Sequence, residues 1–160
     1  MAKTPELGTI APDFTLPGVL VTGGDATRGD YTLSALRGRP VVLAFYPGDN
    51  TSVCTRQLCS YTSDMDSFNS LGATVWGISP QDVDSHEGFA RKYELSFPLL
   101  ADVGLAVTRL YGIGLPGAGL RRSVFVVDAE GMLRWKHVTL AGFTFPRAEA
   151  ITAQIAALAG

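Results

Sequence analysis

The sequence predicts an α/β fold in which a mixed β-sheet is covered by helices on both faces. Two continuous apolar runs, residues 40–46 and 73–79, have the composition of strands that are buried on both faces. Helical segments alternate with these runs, and residues 122–138 follow as a hairpin with a turn at residues 128–131. This order of elements is typical of a sheet that has two covered faces.

Local patterns predict the remaining elements. The helix over residues 84–93 begins with Asp84 and Glu87 at capping-box spacing, and a helical turn ends at Gly38. No repeat or linker divides the chain, so a single domain over residues 1–160 is predicted. The other predicted elements are strands at residues 14–16, 19–22 and 97–100, and helices at residues 52–68, 103–111 and 146–159.

Composition and charge exclude several classes of function. With 46% hydrophobic residues, a chain of 160 residues can bury a core without metal or disulfide staples. The net charge is −2 and no Lys/Arg run is longer than two residues, which argues against binding to nucleic acid or an anionic membrane. There is no signal-peptide core and no apolar stretch of the ~18 residues that a membrane span needs. We therefore expect a cytoplasmic protein.

The two cysteines, Cys54 and Cys59, are too few for a secreted disulfide framework and indicate metal binding or catalysis instead. Cys54 falls in the first turn of a predicted helix that follows a buried strand. Unpaired N–H groups and the helix dipole favour negative charge there, and the thiolate is the nucleophilic form of cysteine. A strand that leads directly into a cysteine-bearing loop and helix is the thioredoxin-like arrangement. The alternative interpretation is a buried structural cysteine after a Pro-Gly turn.

Around Cys54 the sequence resembles the peroxiredoxins, whose active-site pattern is Pro, three residues, Thr, two residues and Cys. Pro47, Thr51 and Cys54 fill this pattern. The resemblance implies a thiol-dependent peroxidase in which Cys54 attacks the peroxide O–O bond and becomes a sulfenic acid. It also implies that the Thr51 hydroxyl hydrogen-bonds the sulfur and the peroxide oxygen, and that Pro47 shields the sulfenic acid from solvent.

The same resemblance implies a cation beside the sulfur. Arg122 lies six residues before the turn residue Asp128, as the strand arginine of the family does. Strand alternation puts Arg121 on the opposite face, so only one of the two can face the sulfur. The alternative is that Arg122 is an exposed residue at the start of a strand.

Cys59, five residues after Cys54, is similar to the resolving cysteine of the Q-type peroxiredoxins, also called bacterioferritin comigratory proteins. On an intact helix the two Cα atoms would stand roughly 8 to 9 Å apart, beyond the ~7 Å limit for a disulfide. The helix therefore has to unwind before Cys59 can attack the sulfenic acid. Alternatively, Cys59 is a small apolar residue on the inner face, and an external thiol resolves the intermediate.

The resemblance extends over residues 8–138, with two departures near the cysteine. Ser52-Val53 replaces the Pro-Gly that is common in the subfamily, and Gln57 stands where Glu is frequent. The resemblance implies a hydroperoxide substrate, a thioredoxin-like or glutaredoxin-like reductant, and no metal, haem or flavin. It implies a monomer or a weak homodimer. The alternatives are a thiol–disulfide oxidoreductase, although its usual Cys-x-x-Cys is absent, and a non-enzymatic redox-sensing module.

Three other signals carry less weight. Residues 112–117 match the dinucleotide fingerprint but follow a helix and contain a proline, so a flexible loop is predicted. His86 and His137 have no second ligand at metal-binding spacing and are interpreted as surface or packing residues. The aromatic residues divide into a predicted core set (Trp76, Phe89, Tyr93 and Phe97) and a predicted apolar rim around the site (Phe45, Tyr46 and Trp135).

Overall fold

The structure, a computed structural model, describes residues 3–117, 119–139 and 144–158. The elements in chain order are β1 (Thr15–Thr22), β2 (Asp25–Thr32), a 3-10 helix (Leu33–Leu36), β3 (Val41–Phe45), α1 (Ser52–Ser63), α2 (Met65–Ser70), β4 (Thr74–Ser79), α3 (Val83–Tyr93), β5 (Leu99–Ala101), α4 (Ala106–Leu110), β6 (Gly114–Leu115), β7 (Gly119–Leu120), β8 (Ser123–Val127), β9 (Leu133–Val138) and α5 (Ala148–Leu158). None of the described helices is long and apolar enough to span a membrane.

Seven of the described strands form one mixed sheet in the order β2-β1-β5-β4-β3-β8-β9. Strands β3, β4 and β5 run parallel, because helices connect each strand to the next. Strand β8 lies antiparallel to β3 on its other side, with Phe45 opposite Ser123. The carboxyl end of β3, where the chain enters α1, therefore lies beside the beginning of β8.

The two faces of the sheet carry separate hydrophobic clusters, because side chains alternate along each strand. On β3, Val42 and Ala44 point to the face that α1, α2, α3 and α5 cover. Val41, Leu43 and Phe45 point to the opposite face, which the 3-10 helix and α4 cover. The predicted α/β class, a mixed sheet with helices on both faces, is confirmed.

The polar strand β2 is not predicted by the sequence. Its side chains are mostly exposed, so it carries no hydrophobic alternation. It is held by backbone pairing along β1 and by a hydrogen bond between the Thr15 and Thr32 hydroxyls at 2.8 Å. The two short strands predicted before residue 23 are one strand, since Pro17 and Gly18 continue the ladder instead of ending it. At Gly18 a side chain would stand 2.8 Å from the carbonyl oxygen of Leu99, so the glycine permits a close approach of β5.

Several predicted boundaries need correction. The helix predicted over residues 52–68 is two helices separated at Asp64. Helix α3 is capped by Asp82, whose carboxylate accepts a hydrogen bond from the Ser85 backbone N–H, and not by Asp84. The predicted loop over residues 112–117 includes β6, which pairs with β7 as a short hairpin. The last residue of the predicted helix over 146–159 lies outside the described residues.

Candidate active site

Cys54 is the third residue of α1, directly after the loop that leaves β3. Thr51 is the N-cap, so the backbone N–H groups of the first turn have no carbonyl partners within the helix. The side chain of Cys54 is fully buried and belongs to the hydrophobic cluster on the α1 face of the sheet. A buried sulfur at a helix N-terminus can hold negative charge only with such donors around it.

Arg122 supplies a cation to this sulfur. Its Nη2 atom lies 3.2 Å from Cys54 Sγ, although the two residues are 68 positions apart in sequence. The contact arises because Arg122 directly precedes β8, which pairs with β3 beside the start of α1. The guanidinium is only 2% exposed, so water screens its charge little. Arg122 therefore faces the Cys54 sulfur and is not an exposed residue.

A chain of buried hydrogen bonds continues from Arg122. Its Nη1 donates to Gln57 Oε1 at 2.5 Å, and Gln57 Nε2 donates to the Tyr61 hydroxyl at 3.3 Å. The Tyr61 hydroxyl in turn donates to the carbonyl oxygen of Pro146 at 2.7 Å. Burial raises the pKa of Tyr61 above its ordinary value, so its hydroxyl stays protonated at neutral pH and keeps donating to Pro146. In the sequence, Gln57 is notable only as a departure from the family pattern, and no local pattern singles out Tyr61.

Thr51 and Pro47 lie at the exposed rim of the same site. The Thr51 hydroxyl donates to the carbonyl oxygen of Gly48 at 3.2 Å, and its predicted hydrogen bond to the sulfur is not among the contacts of the described residues. A hydroxyl has a single hydrogen, so this contact leaves the oxygen lone pairs of Thr51 as acceptors. Shielding of the sulfenic acid by Pro47 stays a prediction.

Cys59 lies on the same unbroken helix as Cys54, and both thiols are free. Its side chain is partly buried against the α1-face cluster. Burial raises the pKa of the Cys59 thiol above its ordinary value, which disfavours its thiolate form while α1 is folded. The helical spacing of ~8 to 9 Å between the Cα atoms does not permit a disulfide in this conformation.

The loop between β3 and α1 is fixed by a buried polar cluster around Asp49. Its carboxylate accepts hydrogen bonds from the Tyr46 and Ser85 hydroxyls, each at 2.7 Å, and lies 2.8 Å from His86 Nδ1. The other ring nitrogen of His86 donates to the carbonyl oxygen of Leu100 at 2.9 Å. Burial, followed by the charge of Asp49, raises the pKa of Tyr46 well above its ordinary value. Of the two interpretations, surface or packing residue, the structure shows the second for His86, which is fully buried and has two partners.

Removing the Asp49 carboxylate is expected to destabilise the fold. Asp49→Ala leaves the Tyr46, Ser85 and His86 donors without their acceptor in a buried position, at a cost of about 3 kcal/mol in the free energy of unfolding. Urea unfolding measures this cost. The control is Asp84→Ala, which removes an exposed carboxylate paired with Arg28 and should leave the urea midpoint close to that of the unmodified protein. Equal unfolding midpoints for the two variants would contradict the account of the cluster.

Two further expectations can be compared with the structure. Phe45 and Tyr46 are fully buried, and Phe45 packs on Tyr111 and Phe125 on the opposite face, so these two residues do not form an apolar rim. Trp135 stacks on His137 and packs against the α1-face cluster. Among the described residues, no group of three or more His, Cys, Asp and Glu side chains could hold a metal ion.

Comparison with known proteins shows the family of this chain. A family model described as the AhpC/TSA family matches residues 7–136. "Peroxiredoxin Q, chloroplastic" of Triticum aestivum is 37% identical over 134 residues, which are 80% of this chain and 57% of that protein. "Putative peroxiredoxin bcp" of Coxiella burnetii is 34% identical over 147 residues, covering 86% of this chain and 92% of that protein. The solved structure of Xanthomonas campestris Peroxiredoxin Q is 30% identical, with a TM-score of 0.72 over 89% of this chain and 91% of that chain.

The chain belongs to the AhpC/TSA family. Its similarity to proteins named peroxiredoxin Q and bcp confirms the resemblance to the Q-type peroxiredoxins, and the structural match confirms the thioredoxin-like fold. The chain spans less than two thirds of the length of the Triticum aestivum protein.

Proposed function

We propose that this protein is a thiol-dependent peroxidase that reduces hydrogen peroxide and organic hydroperoxides to water or alcohols. The observation that carries the proposal is the buried Cys54 sulfur in the first turn of α1, 3.2 Å from the Arg122 guanidinium. This arrangement stabilises a thiolate, and the same donors stabilise the charge that develops on the leaving oxygen as the O–O bond breaks. The similarity to proteins named peroxiredoxin supports the same activity.

In the first step, the Cys54 thiolate attacks one peroxide oxygen and the O–O bond breaks. The departing oxygen carries both bonding electrons away and takes up a proton, leaving as water or alcohol, while Cys54 becomes a sulfenic acid. Thr51 accepts a hydrogen bond from the hydroperoxide O–H, since its own hydrogen is directed to Gly48. Arg122 donates to the developing oxygen anion.

In the second step, the Cys59 sulfur attacks the sulfenic sulfur and water leaves, so that a Cys54–Cys59 disulfide forms. Both residues lie on α1, and the distance limit for a disulfide requires this helix to unwind first. A thioredoxin-like or glutaredoxin-like dithiol reduces the disulfide by thiol–disulfide exchange and becomes oxidised itself. The cytoplasmic location and the state as a monomer or weak homodimer stay predictions.

Disulfide formation is expected to accelerate with rising pH. The pKa of Cys59 is raised in the folded helix by burial, so the folded form is favoured below the ordinary thiol pKa and loses this advantage as the pH rises above it. The unwound, disulfide-competent form therefore gains population as the pH rises above about 8.5, the ordinary pKa of a cysteine thiol. Acid-quenched disulfide yields below and above this pH, measured after a single peroxide addition, test the expectation. A rate that falls with pH would contradict it.

Steady-state peroxide consumption separates this function from its rivals. With thioredoxin, thioredoxin reductase and NADPH, the protein should consume many equivalents of hydrogen peroxide with saturable kinetics. Cys59→Ser should retain oxidation of Cys54 by the first equivalent but lose turnover with this reductant. Consumption of a single equivalent by the unmodified protein, in the presence of either thioredoxin or glutaredoxin systems, would instead indicate a redox sensor.

A further inference from the structure

The hydrogen-bond chain from Arg122 to Pro146 has a single arrangement that satisfies every member. A guanidinium only donates, so the Gln57 atom that faces Arg122 has to be the carbonyl oxygen. The Gln57 amide nitrogen then faces Tyr61, whose hydroxyl oxygen accepts there and uses its own hydrogen on the Pro146 carbonyl. Gln57 and Tyr61 are fully buried, so neither can exchange these partners for water.

These hydrogen bonds hold α1 in place on both sides of Cys59. Gln57 lies between Cys54 and Cys59 in sequence, and Tyr61 lies two residues beyond Cys59. Pro146 is outside α1 and shortly precedes α5. Unwinding α1 around Cys59 displaces both Gln57 and Tyr61, so it breaks the Gln57–Tyr61 bond and the Tyr61–Pro146 bond together. Each break leaves buried polar groups without partners until the segment reaches solvent.

We propose that the Gln57–Tyr61–Pro146 hydrogen bonds lock α1 in its helical form and set the rate at which oxidised Cys54 reaches its disulfide with Cys59. This inference rests on the proposed peroxidase function for its second half, the rate of disulfide formation. Its first half, the lock on α1, is a property of the reduced protein and needs no peroxide. Tyr61 acts as a positioning residue, since it contacts Gln57 and Pro146 and not the sulfur.

The lock determines what happens to the sulfenic acid. While α1 is folded, a second hydroperoxide can attack Cys54, adding one oxygen to give a sulfinic acid and releasing water or alcohol. When α1 opens, Cys59 consumes the sulfenic acid first. A tighter lock therefore lengthens the life of the sulfenic acid and increases overoxidation at a given peroxide concentration.

The test compares Tyr61→Phe with Tyr111→Phe, a matched control. The Tyr111 hydroxyl donates to the Pro12 carbonyl at 2.7 Å, the same kind of buried bond, but on the opposite face of the sheet. Hydrogen exchange of the reduced proteins, followed by mass spectrometry, reports opening of α1. In Tyr61→Phe the amide hydrogens of α1 should exchange about three- to tenfold faster than in the unmodified protein, because about one net hydrogen bond is lost. Tyr111→Phe should leave α1 exchange unchanged.

The second arm follows one peroxide addition with acid quenching and mass spectrometry. Tyr61→Phe should form the Cys54–Cys59 disulfide about three- to tenfold faster than the unmodified protein. It should also need a higher peroxide concentration to reach the same yield of Cys54 sulfinic acid. Tyr111→Phe should match the unmodified protein in both measurements. A second variant, Gln57→Glu, gives an independent check. The glutamate carboxylate cannot donate a hydrogen bond to the Tyr61 hydroxyl, so the Tyr61 hydroxyl has to donate to the carboxylate and gives up its bond to the Pro146 carbonyl. The hydrogen exchange of the α1 amides should therefore accelerate as in Tyr61→Phe.

The outcomes separate the lock from the peroxidase. Unchanged α1 exchange in both Tyr61→Phe and Gln57→Glu overturns the lock, whatever the activity. Faster α1 exchange with an unchanged rate of disulfide formation overturns the claim that the lock sets this rate. Faster exchange in a protein whose Cys54 does not react with peroxide supports the lock and contradicts the proposed function instead.

Discussion

Cys54→Ser is expected to reduce peroxide consumption to the background rate of the buffer. A serine hydroxyl in the first turn of α1 does not ionise near neutral pH, so no anionic nucleophile stands beside Arg122. The substitution replaces one small buried side chain by another and should keep the fold. Peroxide consumption in the presence of thioredoxin, thioredoxin reductase and NADPH is the measurement.

The control for this variant is its unfolding curve, which has to show a folded protein. A folded Cys54→Ser protein that still consumes peroxide at a measurable fraction of the original rate would mean that another group performs the reaction. Cys59 is the other thiol in the chain, so the double variant with Cys59→Ser would identify it.

Arg122→Met is expected to slow the reaction of Cys54 with hydrogen peroxide by about 10- to 100-fold, because a charge-assisted hydrogen bond contributes about 1.5 to 3 kcal/mol. Arg122 donates to Cys54 Sγ at 3.2 Å and is only 2% exposed, so water does not replace its charge. The second-order rate constant, measured by rapid mixing of reduced protein with peroxide, gives the effect. Methionine keeps a similar length of apolar side chain, which limits the loss of packing.

Arg121→Met is the matched control, since it removes the same charge one residue away. Arg121 precedes Arg122 and points away from the sulfur, toward a cavity lined by Leu105, Leu115 and Pro116. Its substitution should change the rate constant by about twofold or less. Similar losses in both variants would show that the overall positive charge, and not the contact between Arg122 and Cys54, supports the reaction.

The sequence predicts the buried parts of this fold better than the exposed parts. Strands β3, β4 and β8 are continuous apolar runs, because both of their faces are covered, and they lie where the pattern places them. Strand β2 has mostly exposed side chains and is held by backbone pairing, so its sequence carries no periodic signal. The break between α1 and α2 at Asp64 likewise has no glycine or proline to mark it.

The residues of the site also differ in how far the sequence predicts them. Cys54 could be predicted from a local motif, and Arg122 from its position six residues before the turn residue Asp128, with strand alternation placing Arg121 on the opposite face. The contacts of Gln57 and Tyr61 depend on how α1 packs against Arg122 and Pro146, which no local pattern specifies. Their spacing of three and seven residues from Cys54, which puts all three on one helix face, was the available signal.

The Asp49 cluster shows a different limit of sequence reasoning. Asp49 lies inside the active-site pattern, but His86 and Ser85 come from α3, more than 30 residues later. A lone histidine near a predicted helix start gives no indication that it is buried. The pairing becomes visible only when the parallel strands β3 and β4 bring the loop and the start of α3 to the same edge of the sheet.

The most direct test of the central claim is mass spectrometry of the reduced protein after one equivalent of hydrogen peroxide, with free thiols counted before and after. The two-cysteine mechanism predicts a loss of two hydrogens, no remaining free thiol, and a peptide map that links Cys54 to Cys59. A stable added oxygen on Cys54 with Cys59 still free would contradict the two-cysteine mechanism and indicate a peroxidase that depends on an external thiol. An unmodified protein would contradict the peroxidase itself.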